Sequence, residues 1–179
     1  MPLIAEWRGH IPALTTDQMR EVDRVMVTEM GISLIQMMEN AGRHLAVLAR
    51  ELCGGRVESK KIVVLAGRGN NGGGGLVAVR RLANWGADVG IITPDPAENY
   101  ADVPQMQLNI LRKMGVPIST AADGLALLSK ADLILDALIG YGLRGAPKNA
   151  NAILIRAANA SGVKILALDA PSGLDTTTG

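Results

Sequence analysis

Phenylalanine is absent from this 179-residue chain, and two Trp and two Tyr are its only aromatic side chains. A core without many large rings has to be built from Ala, Val, Ile, Leu and Met, which suits helices packed closely on a sheet better than an aromatic-rich β-sandwich. The same scarcity removes the stacking platforms that single-stranded RNA or DNA recognition uses. An excess of one charge is missing too. The 18 basic and 17 acidic residues leave a net charge of +1, which gives no electrostatic footprint for nucleic acid or an anionic membrane. Cysteine occurs once, as Cys53; this excludes an internal disulfide framework and fits a reducing compartment. Cys53 itself reads as a small apolar residue at a helix end. No run approaches the roughly 20 apolar residues that cross a bilayer. Residues 1–14 carry Glu6, Arg8 and His10 without an unbroken apolar stretch, unlike a signal peptide. Together these absences describe a cytoplasmic chain the size of one domain, spanning 1–179.

The residues that are present follow a regular alternation. Thr15 and Gln18, then Ser33 and Gln36, have capping-box spacing. The first pair opens a helix carrying Met19, Val22, Val25 and Met26. The second opens a longer one whose inner face is expected to run through Leu34, Met38, Ala41, Leu45, Leu48 and Leu52, before Gly54 and Gly55 end it. Short apolar runs at 62–66, 89–93, 116–119, 133–138 and 164–169 then alternate with helical stretches near 76–84, 101–113, 124–129 and 149–160. Short continuous strands separated by helices predict a mainly parallel sheet covered on both faces, a three-layer α/β/α Rossmann-like domain. The chain stops at Thr176-Thr177-Thr178-Gly179 without a closing helix, so the domain is expected to be truncated at its C-terminus.

In an open parallel sheet, ligands bind beyond the carboxyl ends of the strands, and three segments there are unusual. After the first strand comes Gly67-Arg68-Gly69-Asn70-Asn71-Gly72-Gly73-Gly74-Gly75, a G-x-G-x-x-G loop that opens a helix and offers free N–H groups and a positive dipole end to phosphate. No Lys-Ser/Thr pair follows, so it is not a Walker loop. The fourth strand carries Asp136 inside an apolar run and leads into a second G-x-G-x-x-G, Gly140 to Gly145. A carboxylate there must be paired, hydrogen-bonded or bound to a cation. The fifth strand, expected to be buried, ends in Asp169-Ala170-Pro171-Ser172-Gly173. Asp136, Asp169, Ser172, Asn70 and Asn71 are thus expected on one rim, an oxygen-donor set suited to a hard cation. His10 and His44 lie in different elements without ligand-spaced partners and read as surface residues, and no Ser or Cys has a His in reach for a hydrolase triad.

At Met38-Glu39-Asn40-Ala41-Gly42, Gly69-Asn70-Asn71-Gly72-Gly73, Asp136-Ala137-Leu138-Ile139-Gly140-Tyr141-Gly142 and Asp169-Ala170-Pro171-Ser172-Gly173-Leu174-Asp175, the chain resembles the NAD(P)H-hydrate epimerase family, the YjeF N-terminal domain. Their order and spacing match over nearly its whole length. The resemblance implies a homodimeric Rossmann-like enzyme of nucleotide repair that interconverts the R and S epimers of hydrated NADH or NADPH. Its partner is an NAD(P)H-hydrate dehydratase, separate or fused. By position, Asn70, Asn71, Gly72, Gly73 and Gly74, then Gly140, Tyr141, Gly142, Leu143, Arg144, Gly145 and Ala146, and finally Asp169 would contact the hydrate. Asn71, Asp136 and Ser172 would hold a potassium ion. Asp169 is taken as the acid/base residue. The family usually carries Asp where this chain has Gly74, and its domains run on through further strands and a helix. Two other readings share the fold: a non-catalytic nucleotide-binding or scaffold domain, and an NAD(P)-dependent dehydrogenase with Asp95 past its second strand.

Overall fold

In a computed structural model of the chain, residues 13–178 are described, together with Gly9; His10 lies outside them. The apolar runs form strands Lys61–Ala66 (β1), Asp88–Thr93 (β2), Ile118–Thr120 (β3), Leu133–Ala137 (β4) and Ile165–Ala167 (β5). All neighbours pair in parallel, in the order β3-β2-β1-β4-β5. The sheet grows one way from β1 to β3 and the other way from β4 to β5. The order therefore reverses between β1 and β4, where a crevice opens at their carboxyl ends.

Among the described residues six helices accompany the sheet: Thr16–Thr28 (α1), Leu34–Leu52 (α2), Asn70–Asn84 (α3), Asp102–Lys113 (α4), Ala121–Leu128 (α5) and Asn149–Ala160 (α6). A short 3₁₀ turn spans Ala97–Asn99. The pleat of β1 divides the core. Ile62 and Val64 face a cluster built from α2, α3 and α4, whereas Val63 and Leu65 face one built from α5 and α6. Both expected capping boxes form, at Thr15/Gln18 and Ser33/Gln36. No helix among the described residues is long and apolar enough to cross a membrane. Cys53 is the C-cap of α2, free and half-buried against the core, and burial pushes its thiol pKa up.

Three expectations need correction. The glycine-rich segment is not a loop throughout, because helix α3 begins at Asn70 with Gly69 as its N-cap. Four consecutive glycines, Gly72 to Gly75, thus lie in the first two turns of a helix, where each costs roughly 1 kcal/mol against Ala. They are there because neighbouring protein leaves no room for a side chain. A Cβ on Gly72 would run into the carbonyl of Gly67, one on Gly73 into Met38 Sδ, and one on Gly75 would stand 2.5 Å from Ala137 Cβ.

The inner face of α2 is also shifted. It runs through Met38, Gly42, Leu45, Ala46 and Ala49, while Leu48 is exposed. Small residues win this face because α2 lies directly on α3. A Cβ on Gly42 would meet the carbonyl of Gly74 and the side chain of Val77. Third, β5 is half-buried rather than buried, since it has a strand partner only on its β4 side.

Helix α1 stands apart. Its apolar stripe forms as the spacing predicts, yet none of its residues is buried. It is tied down by polar contacts: Thr16 Oγ1 lies 3.2 Å from Thr176 Oγ1 and 3.0 Å from Thr177 Oγ1, and the Tyr141 hydroxyl donates to Asp23.

Candidate functional site

The crevice between β1 and β4 is a groove of about 870 Å³. The start of α3 forms one wall, with Gly69, Asn70, Asn71 and Gly74. The segment after β4 forms another, with Gly140, Tyr141, Gly142 and Arg144, and Asp169 stands on the rim. Gly72 and Gly73 turn into the protein instead. Leu143, Gly145 and Ala146 belong to the same loop but do not line the groove.

Asp169 follows β5 and has φ +67°, a left-handed conformation that Asp and Asn tolerate better than most residues. It is exposed, and its Oδ2 accepts a hydrogen bond of 2.7 Å from the Tyr141 backbone N–H. Its Oδ1 accepts no hydrogen bond among the described residues. Glycine is required at 140, because a Cβ there would strike Asp169 Oδ2 and stand 3.3 Å from Asn71 Cγ. Asn71, in the orientation that satisfies its amide, donates to the Leu168 carbonyl and accepts from Gly140 N–H, both at 3.3 Å. Gly140 therefore lets the three loops close on one another.

Asp136 sits one layer deeper, only 8% exposed, and is fully engaged. Its Oδ1 accepts from Ser172 Oγ at 2.6 Å and Leu138 N–H at 3.2 Å, and its Oδ2 accepts from Ser172 N–H at 2.8 Å. Ser172 Oγ lies 3.1 Å from the Ile139 carbonyl. The carboxylate is thus turned inward and ties the segment after β4 to the segment after β5. Asn71, Asp136, Ser172 and the Ile139 carbonyl bring oxygen atoms and a single carboxylate to this part of the site. No group of three or more His, Cys, Asp or Glu that could hold a metal occurs among the described residues. His44 is exposed on α2.

Helix α1 supplies groove residues that carry no local signal in the sequence, Arg20 and Asp23. The Tyr141 phenol, bonded to Asp23, is pushed up to about 12 by burial and by that carboxylate, so it stays protonated and keeps donating. Met37, Met38, Ala41, Leu138 and Leu168 give the groove an apolar floor, and Asn151 of α6 lines it too. Its cations are Arg20, Arg68 and Arg144. Arg20 pairs with the exposed Asp17 at 2.6 Å, Arg68 pairs with Asp95 at 3.2 Å, and Arg144 has no ion pair among the described residues. Free N–H groups at the start of α3 and three arginines around an apolar floor suit a phosphate-bearing ligand with a flat ring system.

The family model described as YjeF-related protein N-terminus matches residues 34–179. The NAD(P)H-hydrate epimerase of Dehalogenimonas lykanthroporepellens is 44% identical over 173 residues, which cover 94% of this chain and 68% of that protein. That of Limosilactobacillus fermentum is 38% identical, covering 93% and 77%. The bifunctional NAD(P)H-hydrate repair enzyme Nnr of Moorella thermoacetica is 35% identical over 93% of this chain, which spans 32% of that protein. Among solved structures, the crystal structure of yeast ynu0, YNL200c, is similar at a TM-score of 0.79 with 26% identity, covering 92% of this chain and 72% of that one.

Proposed function

Because this chain belongs to the family of YjeF-related protein N-termini, we propose that it is an NAD(P)H-hydrate epimerase, which interconverts the R and S forms of hydrated NADH and NADPH. The observation that carries this reading is the carboxylate of Asp169 on the rim of a groove walled by two glycine-rich segments, with one oxygen fixed by the Tyr141 N–H. The hydrated ring carbon bears a hydroxyl beside the ring nitrogen, and its configuration is lost by either of two routes. In the first, Asp169 gives a proton to the hydroxyl as the C–O bond breaks and the nitrogen lone pair forms C=N. The resulting carboxylate then takes a proton from a water that adds to the opposite face. In the second, Asp169 takes the hydroxyl proton as the ring C–N bond breaks, passes it to the nitrogen, and the ring recloses on either face. Both routes are general acid/base chemistry at one oxygen.

Asn71, Asp136 and Ser172 would hold a potassium ion, whose charge would brace the segments after β4 and β5 beside the nucleotide. The S form made here would be the substrate of a dehydratase, and the relatives named bifunctional NAD(P)H-hydrate repair enzyme Nnr support a partner carried on the same polypeptide. The direct test incubates the protein with the separated R hydrate and follows the S form by chromatography. Exchange well above the buffer rate is expected. Binding of the hydrate with no exchange above buffer would replace this reading with the non-catalytic one.

Position 74 favours keeping that second reading in view, because Gly74 lines the groove where the family usually has Asp. A Cβ there would lie 2.8 Å from Leu168 Cδ2, so Leu168 fills the space that a carboxylate would need. With Asp169 as the acid/base residue, Gly74→Asp combined with Leu168→Ala is expected to tighten KM through ribose hydroxyl contacts, by about 1–3 kcal/mol, and to move kcat only a few-fold. Steady-state rates with the R hydrate check this. A gain in kcat of about 100-fold or more would transfer the catalytic role to position 74.

A further inference from the structure

The reaction accounts for the β1, β4 and β5 side of the carboxyl edge and leaves the β2 and β3 side unused. A second pocket, of about 440 Å³, opens there. Its walls include Thr93 at the end of β2, Pro96 beyond it, Ala97 of the 3₁₀ turn, Val116 before β3, and Ile118 and Ser119 within β3. Asp95 stands in sequence between Thr93 and Pro96, and its Oδ2 meets Arg68 Nε at 3.2 Å. Arg68 in turn lines the main groove. The ion pair thus links a residue of the groove to the chain segment whose neighbours Thr93 and Pro96 line the second pocket.

We infer that this second pocket receives the adenosine half of the dinucleotide, with Asp95 and Arg68 reading the adenosine ribose at its 2′ position. The inference rests on the proposed function and extends it to a part of the substrate remote from the reacting carbon. Strand order carries the argument. If the ring that reacts lies at Asp169, beyond β4 and β5, and the pyrophosphate takes the free N–H groups at the start of α3 beside β1, a dinucleotide laid across the switch point puts its other half over the other half of the sheet. That half passes over β2 towards β3, across Arg68 and Asp95.

The side chains suit that end of the molecule. Val116, Ile118 and Pro96 offer apolar surface to a flat base, and the ion pair of Glu98 with Arg112, at 2.9 Å, supplies the polar part of the wall. A carboxylate just past the second strand of a doubly wound sheet is placed to accept from ribose hydroxyls, and an arginine beside it to bind a 2′-phosphate. Here the two are paired and exposed, with Arg68 at 58% and Asp95 at 36%. Either can leave the other: Asp95 serves the diol of the NADH form and Arg68 the phosphate of the NADPH form. The pair thus gives a structural basis for accepting both hydrates.

The probes are AMP and 2′,5′-ADP, bound to the intact protein and followed by calorimetry, so the result does not depend on epimerase activity. Arg68→Ala is expected to weaken 2′,5′-ADP by about 10-fold or more, the loss of a charge-assisted contact, and AMP by a distinctly smaller factor. Asp95→Ala is expected to weaken AMP several-fold and to leave 2′,5′-ADP unchanged or tighter. A Val116→Asp variant, with a charge on the wall, should weaken both. Equal factors for both probes in both ion-pair variants, or no binding of either probe to the unaltered protein, would overturn the inference. Absence of epimer exchange with these shifts intact would overturn only the proposed reaction.

Discussion

Replacing Asp169 by Asn is expected to slow epimer exchange by about 10²–10⁴-fold, the usual worth of a placed acid/base group, or roughly 3–5 kcal/mol of barrier. The substitution is chosen for its backbone. Asp169 has φ +67°, and Asn adopts that conformation more readily than most side chains. Its amide oxygen can still accept from the Tyr141 N–H, so the loop keeps its anchor. What is lost is the proton transfer. The loss should appear in kcat, with nucleotide binding by calorimetry nearly unchanged. Asp169→Ala is a poorer probe, because it removes the Tyr141 contact together with the carboxylate. An Asn variant retaining more than a tenth of the activity would exclude Asp169 as the acid/base residue.

Asp136→Ala is expected to act first on stability. It strips the acceptor from Ser172 Oγ, Ser172 N–H and Leu138 N–H, of which the Ser172 bonds are the short ones. A buried donor left without a partner costs about 1–3 kcal/mol, so a loss on the order of 3 kcal/mol is expected in urea unfolding. If potassium is held here, raising its concentration should stabilise the unaltered protein by preferential binding to the folded state and leave the Ala variant unaffected. Asp136→Asn separates the two effects: it keeps an acceptor for the loop and removes the charge that holds a cation. Equal unfolding free energies for all three proteins, with no response to potassium in any, would show that Asp136 carries neither burden.

How much of this was legible beforehand depends on the range of the signal. The capping boxes at Thr15 and Ser33 and the alternation of apolar runs with helices are local, and each formed. Asp136 was readable because a carboxylate within an apolar run has to find partners, and it found Ser172 on the next segment. The start of α3 is not legible locally, because glycine signals a loop unless something outside the segment excludes side chains. Met38, Ala137 and the Gly67 carbonyl, which do so, are distant from it or invisible to a periodicity. The inner face of α2 is illegible for the same reason: a count of large apolar residues selects Leu48, whereas contact with a glycine-rich helix selects Gly42, Ala46 and Ala49. Arg20 and Asp23 gave no hint at all, since only the placement of α1 brings them to the groove.

The glycine helix also has a consequence in time. A segment with four successive glycines has almost no tendency to coil alone. The surfaces that hold this one in shape include Ala137 in β4 and Leu168 after β5, both synthesised long after it. As the chain leaves the ribosome, β1 and β2 can pair while the first turns of α3, and with them the full docking of α2, remain open. The row of N–H groups that would grip a pyrophosphate is therefore among the last features to appear. A half-made chain should neither capture nor sequester nucleotide, and amide exchange at Asn70 to Gly75 should report arrival of the final strands more sharply than any position in the central sheet.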